Sequence, residues 1–435
     1  MQHKILRLFL LYLLALSACS TPPPTAPATP TPTVVLLPTV TRRPAVTSTP
    51  SPTQTPAPTA TPTLPPTPSI DQLKYRIVGY YPSWGTSAHD YSPASIAGNW
   101  LTHVNYAFSQ IDPITLTCDL ADPTIDRNNL TGLHQVKQNY PHLKVLMAIG
   151  GGTSSGSFSD AALSDEARQK FVKGCLDLYI GIYPEVIDGF DLDWEYPGIG
   201  DAARAEDKHN FTLLLQEFRR QLDALGKQNG QAYLLTAAVP AGPGFIQHYE
   251  MKEVSKVVDW LNLMTYDFHG AWDKSTNFNA PLYQASGDPY KANNIDAAVQ
   301  AYLDAGVPSQ KIILGLPTYG RGWGNVSSEN NGLYQRSTKL PQGTFGSSAY
   351  AYWDLAENYV GQKDYVRYWN DEAKVPWLYS PADKIFITYD DPESIGFKAD
   401  YVRAHQLGGA MIWNLGSDDG SLLGALYAHL SAATP

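Results

Sequence analysis

The sequence predicts a (β/α)8 TIM barrel with a small α+β insertion between strands 7 and 8, and three observations predict it. Eight apolar, β-branched runs recur along the chain: Arg76–Tyr81, His103–Ile111, Lys144–Gly151, Gly189–Glu195, Tyr233–Pro240, Trp260–Phe268, Lys311–Tyr319 and Gly408–Leu415. Several are almost continuously apolar, as strands buried on both faces must be. Between them lie helical stripes, with Phe211, Leu214, Leu215, Phe218 and Leu222 on one face and Phe171, Cys175 and Leu178 on another. Strands alternating with helices give a parallel barrel. Last, roughly seventy residues between Tyr319 and Tyr389 are rich in Tyr, Trp, Gly and Ser, too many for a plain loop. They read as an inserted domain at about 322–386, with strands at Tyr350–Asp354 and Val366–Asn370.

Residues 1–19 precede the barrel as an export signal: His3, Lys4 and Arg7, then an apolar run from Leu8 to Leu16 that is too short to span a bilayer. Leu16-Ser17-Ala18-Cys19 looks like a bacterial lipobox, which implies cleavage before Cys19 and lipidation of its thiol. Residues 20–69 are almost all Pro, Thr, Ala and Ser, and cannot bury enough apolar surface to order themselves. The expectation is a tethered, membrane-anchored lipoprotein outside the cytoplasm, with residues 70–435 as its folded part. A net charge of −10 without a basic patch argues against nucleic acid as a partner. Aromatics at 11 %, with 10 Trp and 27 Tyr, are abundant; most belong to the core, but sugar rings stack on aromatic faces, so some excess is expected in a carbohydrate cleft. With Cys19 set aside, Cys118 and Cys175 remain, either bridged or free; the place of Cys175 on an apolar helical stripe favours buried free thiols.

The fourth strand carries the chemistry. In Asp188-Gly189-Phe190-Asp191-Leu192-Asp193-Trp194-Glu195-Tyr196, alternation puts Asp191, Asp193 and Glu195 on one face and Phe190, Leu192 and Trp194 on the other. The interleaved large residues need burial, so the strand is not simply solvated. Three adjacent carboxylates cannot all ionise freely, and at least one proton is retained or shared. An acid kept protonated near neutral pH serves glycosidic bond cleavage. A metal site would need a His or Cys cluster that the vicinity lacks, so no cofactor is expected.

This stretch resembles the D-G-x-D-x-D-W-E signature of glycoside hydrolase family 18, the chitinase family, and the likeness extends to the other strand ends. Met264-Thr265-Tyr266-Asp267 is similar to the family's M-x-Y-D, Gly315 to Arg321 to its seventh-strand run, and Gly408 to Asn414 to its eighth. The first and second strands match at Gly79 to Trp84 and Tyr106 to Phe108. The resemblance implies a retaining mechanism assisted by the substrate's own acetamido group, acting on β-1,4-linked N-acetylglucosamine polymers. Glu195 would be the acid/base, Asp193 the group orienting the acetamide, Asp191 its proton partner, and Tyr266 a phenolic donor. Tyr80, Phe108, Tyr196, Met264, Asp267, Arg321 and Trp413 would contact substrate, with Trp84 and Trp272 further along the cleft.

One strand departs from the family. Ala148-Ile149-Gly150-Gly151-Gly152 stands where S-x-G-G and an aromatic are usual. Ala148 removes a hydroxyl expected to support Asp191, and Gly152 an aromatic expected to stack on a sugar; altered pH dependence or subsite preference is expected. Other N-acetylglucosamine glycans (peptidoglycan or the N-glycan core) remain as substrates. A non-catalytic chitin-binding lectin on the same barrel is the rival reading, opposed by the presence of Glu195. A monomer is expected.

Overall fold

The computed structural model describes residue 70 and residues 73–432, so the signal, the lipidation site Cys19 and the whole of the linker lie outside the described residues. Eight parallel strands close on themselves: β1 Arg76–Pro82, β2 His103–Ile111, β3 Lys144–Gly150, β4 Gly189–Asp193, β5 Leu234–Pro240, β6 Trp260–Met264, β7 Ile312–Pro317 and β8 Gly409–Trp413. Each pairs with its successor, and β1 pairs with both β2 and β8. Helices such as Pro123–Asn139, Asp165–Leu176, Asp207–Asn229 and Pro392–Ala404 connect them. The predicted barrel is therefore present, and every predicted strand overlaps an observed one.

The alternation read from β4 separates two cores. Phe190, Leu192 and Trp194 face outward and pack with Phe171, Leu214 and Phe218 of the helices. Each such side chain contributes about 1.5–3 kcal/mol on burial. The barrel interior is filled instead by Val78, Leu146, Ala148, Trp260, Ile313 and Met411. At its lower end His103 meets the Trp260 ring edge-on at 4.7 Å and the Arg76 guanidinium lies 4.8 Å above that ring. Burial lowers the His103 pKa to about 3, so the plug is neutral at His103.

Five strands end short of their predicted limits: β3 at Gly150 and β8 at Trp413, and three others whose ends shape the site. β4 stops at Asp193, leaving Glu195 just beyond it with its N–H donated to Ser155 Oγ at 2.9 Å. β6 stops at Met264, because Thr265 N–H turns back to Leu263 O and Asp267 adopts a left-handed φ of 57°. β7 stops at Pro317, and Tyr319–Gly324 opens a second sheet. That sheet is the insertion, slightly larger than predicted: five antiparallel strands in the order Ala349–Ala351, Tyr319–Gly324, Ile385–Thr388, Val375–Ser380, Val366–Asn370. The strand expected at Tyr350–Asp354 ends at Ala351, opposite Tyr319 where its partner begins, and continues as the helix Tyr352–Asn358. Asp354 in the first turn favours that helix start.

The cysteine expectation is overturned. Cys118, on the short strand Cys118–Leu120 paired with β2, is bonded to Cys175 of the helix Asp165–Leu176, with S–S 2.02 Å and Cα–Cα 4.8 Å. Facing the apolar side of a helix is what brings Cys175 onto the hairpin, so the stripe that suggested a free thiol is the surface carrying the bridge.

Candidate active site

Asp191 and Asp193 of β4 and Glu195 just past it lie toward the C-terminal mouth of the barrel, the end at which barrel enzymes place their chemistry. Asp191 and Asp193 are buried and Glu195 is half-buried. Asp191, the deepest, accepts hydrogen bonds from Tyr80 Oη at 2.6 Å, Thr236 Oγ1 at 2.5 Å and Asn262 Nδ2 at 3.0 Å. In register it lies between Ala148 on β3 and Thr236 on β5. The hydroxyl missing at Ala148 is thus answered by one from the opposite neighbour. Burial still raises the pKa of Asp191, against the pull of these donors.

Asp193 is treated differently. Its buried Oδ1 has no hydrogen-bond partner among the described residues. Burial, then the charges of Glu195 and Asp191, drive its pKa well above the usual carboxylate range. Glu195 is also raised, first by burial, with a hydrogen bond from Tyr196 opposing and Asp267 adding to the rise. Burial is the first cause of the raised pKa at all three acids.

A cavity of about 680 Å³ opens over the acids. Tyr80, Phe108, Tyr196, Met264, Tyr266, Asp267 and Trp413 line it together with Asp193 and Glu195. The Trp413 ring meets Tyr80 at 5.5 Å and Phe108 at 5.6 Å, and Trp84 adjoins both Phe108 and Trp413. Tyr266 is held protonated by burial, then by Tyr319, Asp193 and Asp267, and so remains a donor. Arg321 does not line the cavity. It grips Asp267 through Nη2 at 2.8 and 2.7 Å and through Nε at 2.9 Å, lying against both Tyr319 and Trp272, which is 59 % exposed at the rim. These contacts tie Arg321 to Asp267 and Trp272, both of which do line the cavity. Among the described residues no group of His, Cys, Asp and Glu could hold a metal ion.

Backbone crowding explains the glycines of β3. Gly150 has φ +105°, and a Cβ there would stand 2.3 Å from Asp193 O. Gly152 is free of that constraint: its Cβ would meet only the Glu195 carboxyl, at 3.6 Å.

Three contributors escaped the sequence reading. Thr236 and Asn262 are single polar residues within the apolar runs of β5 and β6, and that isolation was their signal. Phe245, which packs on Tyr196 at 4.7 Å, comes from the loop after β5 and left none.

Residues 76–418 match the family described as Glycosyl hydrolases family 18. The chain belongs to that family. Among curated relatives, Chitinase A1 of Niallia circulans is 41 % identical over 399 residues, covering 79 % of this chain but 56 % of that protein. Chitotriosidase-1 of Mus musculus is 35 % identical, covering 79 % of this chain and 73 % of its own. Among solved structures, Chitinase ChiA74 from Bacillus thuringiensis superposes with a TM-score of 0.78 at 36 % identity, over 82 % of this chain and 70 % of that one. A family 18 N-acetylglucosaminidase from Paenibacillus barengoltzii does so with a TM-score of 0.72, also at 36 % identity, over 82 % and 99 %.

Proposed function

We propose that this protein is a chitinase-type glycoside hydrolase that cleaves β-1,4-linked N-acetylglucosamine polymers with retention, using the acetamido group of the bound sugar as nucleophile. Glu195 donates its proton to the glycosidic oxygen as the C1–O bond breaks. The acetamido carbonyl oxygen closes on C1, giving an oxazolinium ion, while Asp193, its proton passed to Asp191, accepts the acetamido N–H and steadies the positive charge. Tyr266 donates to the acetamido carbonyl. Water then adds to C1, its proton passing to the ionised Glu195, and the C1–oxazolinium bond reopens with its electron pair returning to the acetamide.

The observation carrying this reading is the unpaired Oδ1 of Asp193, beside Glu195 and over the same cavity as Tyr266. An unsatisfied buried acceptor costs about 1–3 kcal/mol, and a ligand amide N–H would relieve it. The names of the chitinase relatives support the polymer as substrate, and the ring faces of Trp413, Trp84 and Phe108 suit its sugars. The intact acid at Glu195 disfavours the lectin alternative.

The same reading places the protein outside the cytoplasm, as a monomer tethered by lipid at Cys19. The Cys118–Cys175 bond supports an oxidising compartment. The test of function is NMR of products released from chitin oligomers of defined length: the first anomer formed should be β, and an initial α-anomer would exclude retention. The lengths released also distinguish internal from terminal cleavage.

A further inference from the structure

A second cavity, of about 280 Å³, meets the catalytic cleft at only two residues, Gly152 and Glu195. Its inner end is formed by buried Ser155, Trp194 and Asp207, and its rim by exposed Thr153, Asp201 and Ala202. The chamber therefore runs from open solvent to the flank of the acid/base, and its hydroxyls and carboxylates make it wettable. At about 30 Å³ of liquid per water, its volume holds several molecules. Ser155 fixes the inner end, with its Oγ within hydrogen-bond distance of Gly151 O at 2.9 Å and Asp193 O at 3.1 Å while accepting Glu195 N–H. Residue 152, which lines both cavities, has no side chain, and anything longer than a methyl there would stand against the carboxyl of Glu195.

We propose that this side chamber is the water entrance to Glu195, with Gly152 as its threshold. The inference rests on the retaining mechanism proposed above. In that mechanism the water attacking C1 arrives on the face the leaving chain has just vacated. A departing oligosaccharide still lying in the main cleft, which Tyr196, Phe245 and Trp272 line, would obstruct that approach. The side chamber delivers water to Glu195 while the leaving chain is still present. Water adds its oxygen to C1 and gives its proton to Glu195; no other co-reactant is needed. Gly152 thus sets the partition between water and sugar as acceptor for the intermediate.

The experiment follows N-acetylchitotetraose with time by mass spectrometry, scoring products longer than the substrate against hydrolysis products. Two variants block the chamber from opposite ends: Gly152→Phe at the threshold, and Ala202→Phe at the solvent rim, which does not line the cleft. Both positions are exposed, and Gly152 lacks a positive φ, so both variants should fold. Each should raise the ratio of transfer to hydrolysis by ~10-fold, a small change in relative barrier heights. Gly152→Ala, whose methyl stays in ordinary contact with the Glu195 carboxyl and leaves a path for water, should keep a ratio close to wild type. An unchanged ratio in both Phe variants, or a rise in Gly152→Phe alone, overturns the proposal; the latter would mark a stacking effect in the cleft. A wild-type protein with no hydrolysis of the tetramer would instead defeat the proposed function.

Discussion

The two ends of the acidic run on β4 are built in opposite ways. At the deep end Asp191 is surrounded by donors from three other strands, Tyr80 of β1, Thr236 of β5 and Asn262 of β6. At the upper end Glu195 stands past the strand between two cavities, and Asp193 below it keeps an oxygen without a partner. The contrast shows that charge alone does not organise the site. Hydrogen bonds are concentrated on the deepest acid, while Asp193, which lines the cavity, keeps Oδ1 without one. A mutation at the upper end should therefore act on turnover, and one at the deep end on the support of the strand.

The largest effect belongs to Glu195→Gln. Loss of the proton donor should lower kcat by about 10³-fold, while calorimetric binding of chitin oligomers stays close to wild type. In the wild type, burial of Glu195 raises its pKa, so kcat/KM should hold above the ordinary glutamate range and fall as pH rises through that raised value.

Asp193→Asn comes next, with kcat down by about 10²-fold because the charge stabilising the oxazolinium ion is lost. It also has a stability signature. The folded-state pKa of Asp193 lies above its unfolded value, so the folded protein holds more protons in that window. Stability must then decline as pH rises from the ordinary carboxylate range through the raised folded value. Urea unfolding of the Asn variant should show a shallower decline than wild type over the same pH range.

At the deep end the effects shrink. Thr236→Val removes one of three donors to Asp191 and should cost about 1 kcal/mol in denaturant unfolding, with a smaller loss of kcat than at Asp193. Ala148→Ser restores the hydroxyl usual in the family and should change kcat by less than about twofold, since Asp191 is already well supplied with donors. A large gain from Ala148→Ser would show that Thr236 does not fill that place.

How much of this was legible in the sequence follows the same division. The strands could be read because parallel strands buried on both faces leave unbroken apolar runs, and the acids because three carboxylates at spacing two are hard to explain otherwise. The insertion could be read from the length of its interval. What could not be read depended on register between distant strands. Thr236 supports Asp191 only because β5 pairs beside β4 in that alignment. Cys175 bridges Cys118 only because the β2 hairpin lies under its helix. Arg321 was expected in the cleft, yet the turn from β7 into the second sheet aims it at Asp267. Apolar periodicity reports which way a side chain faces, and it is silent about what it meets there.

The central claim is that the reacting sugar supplies its own nucleophile while Asp193 steadies it. The most direct measurement compares initial hydrolysis rates on chitotetraose and on its fully de-N-acetylated counterpart, at equal concentration and a pH where both dissolve. The account predicts a loss of at least about 10³-fold without the acetamido groups. Comparable rates on the two chains would contradict it.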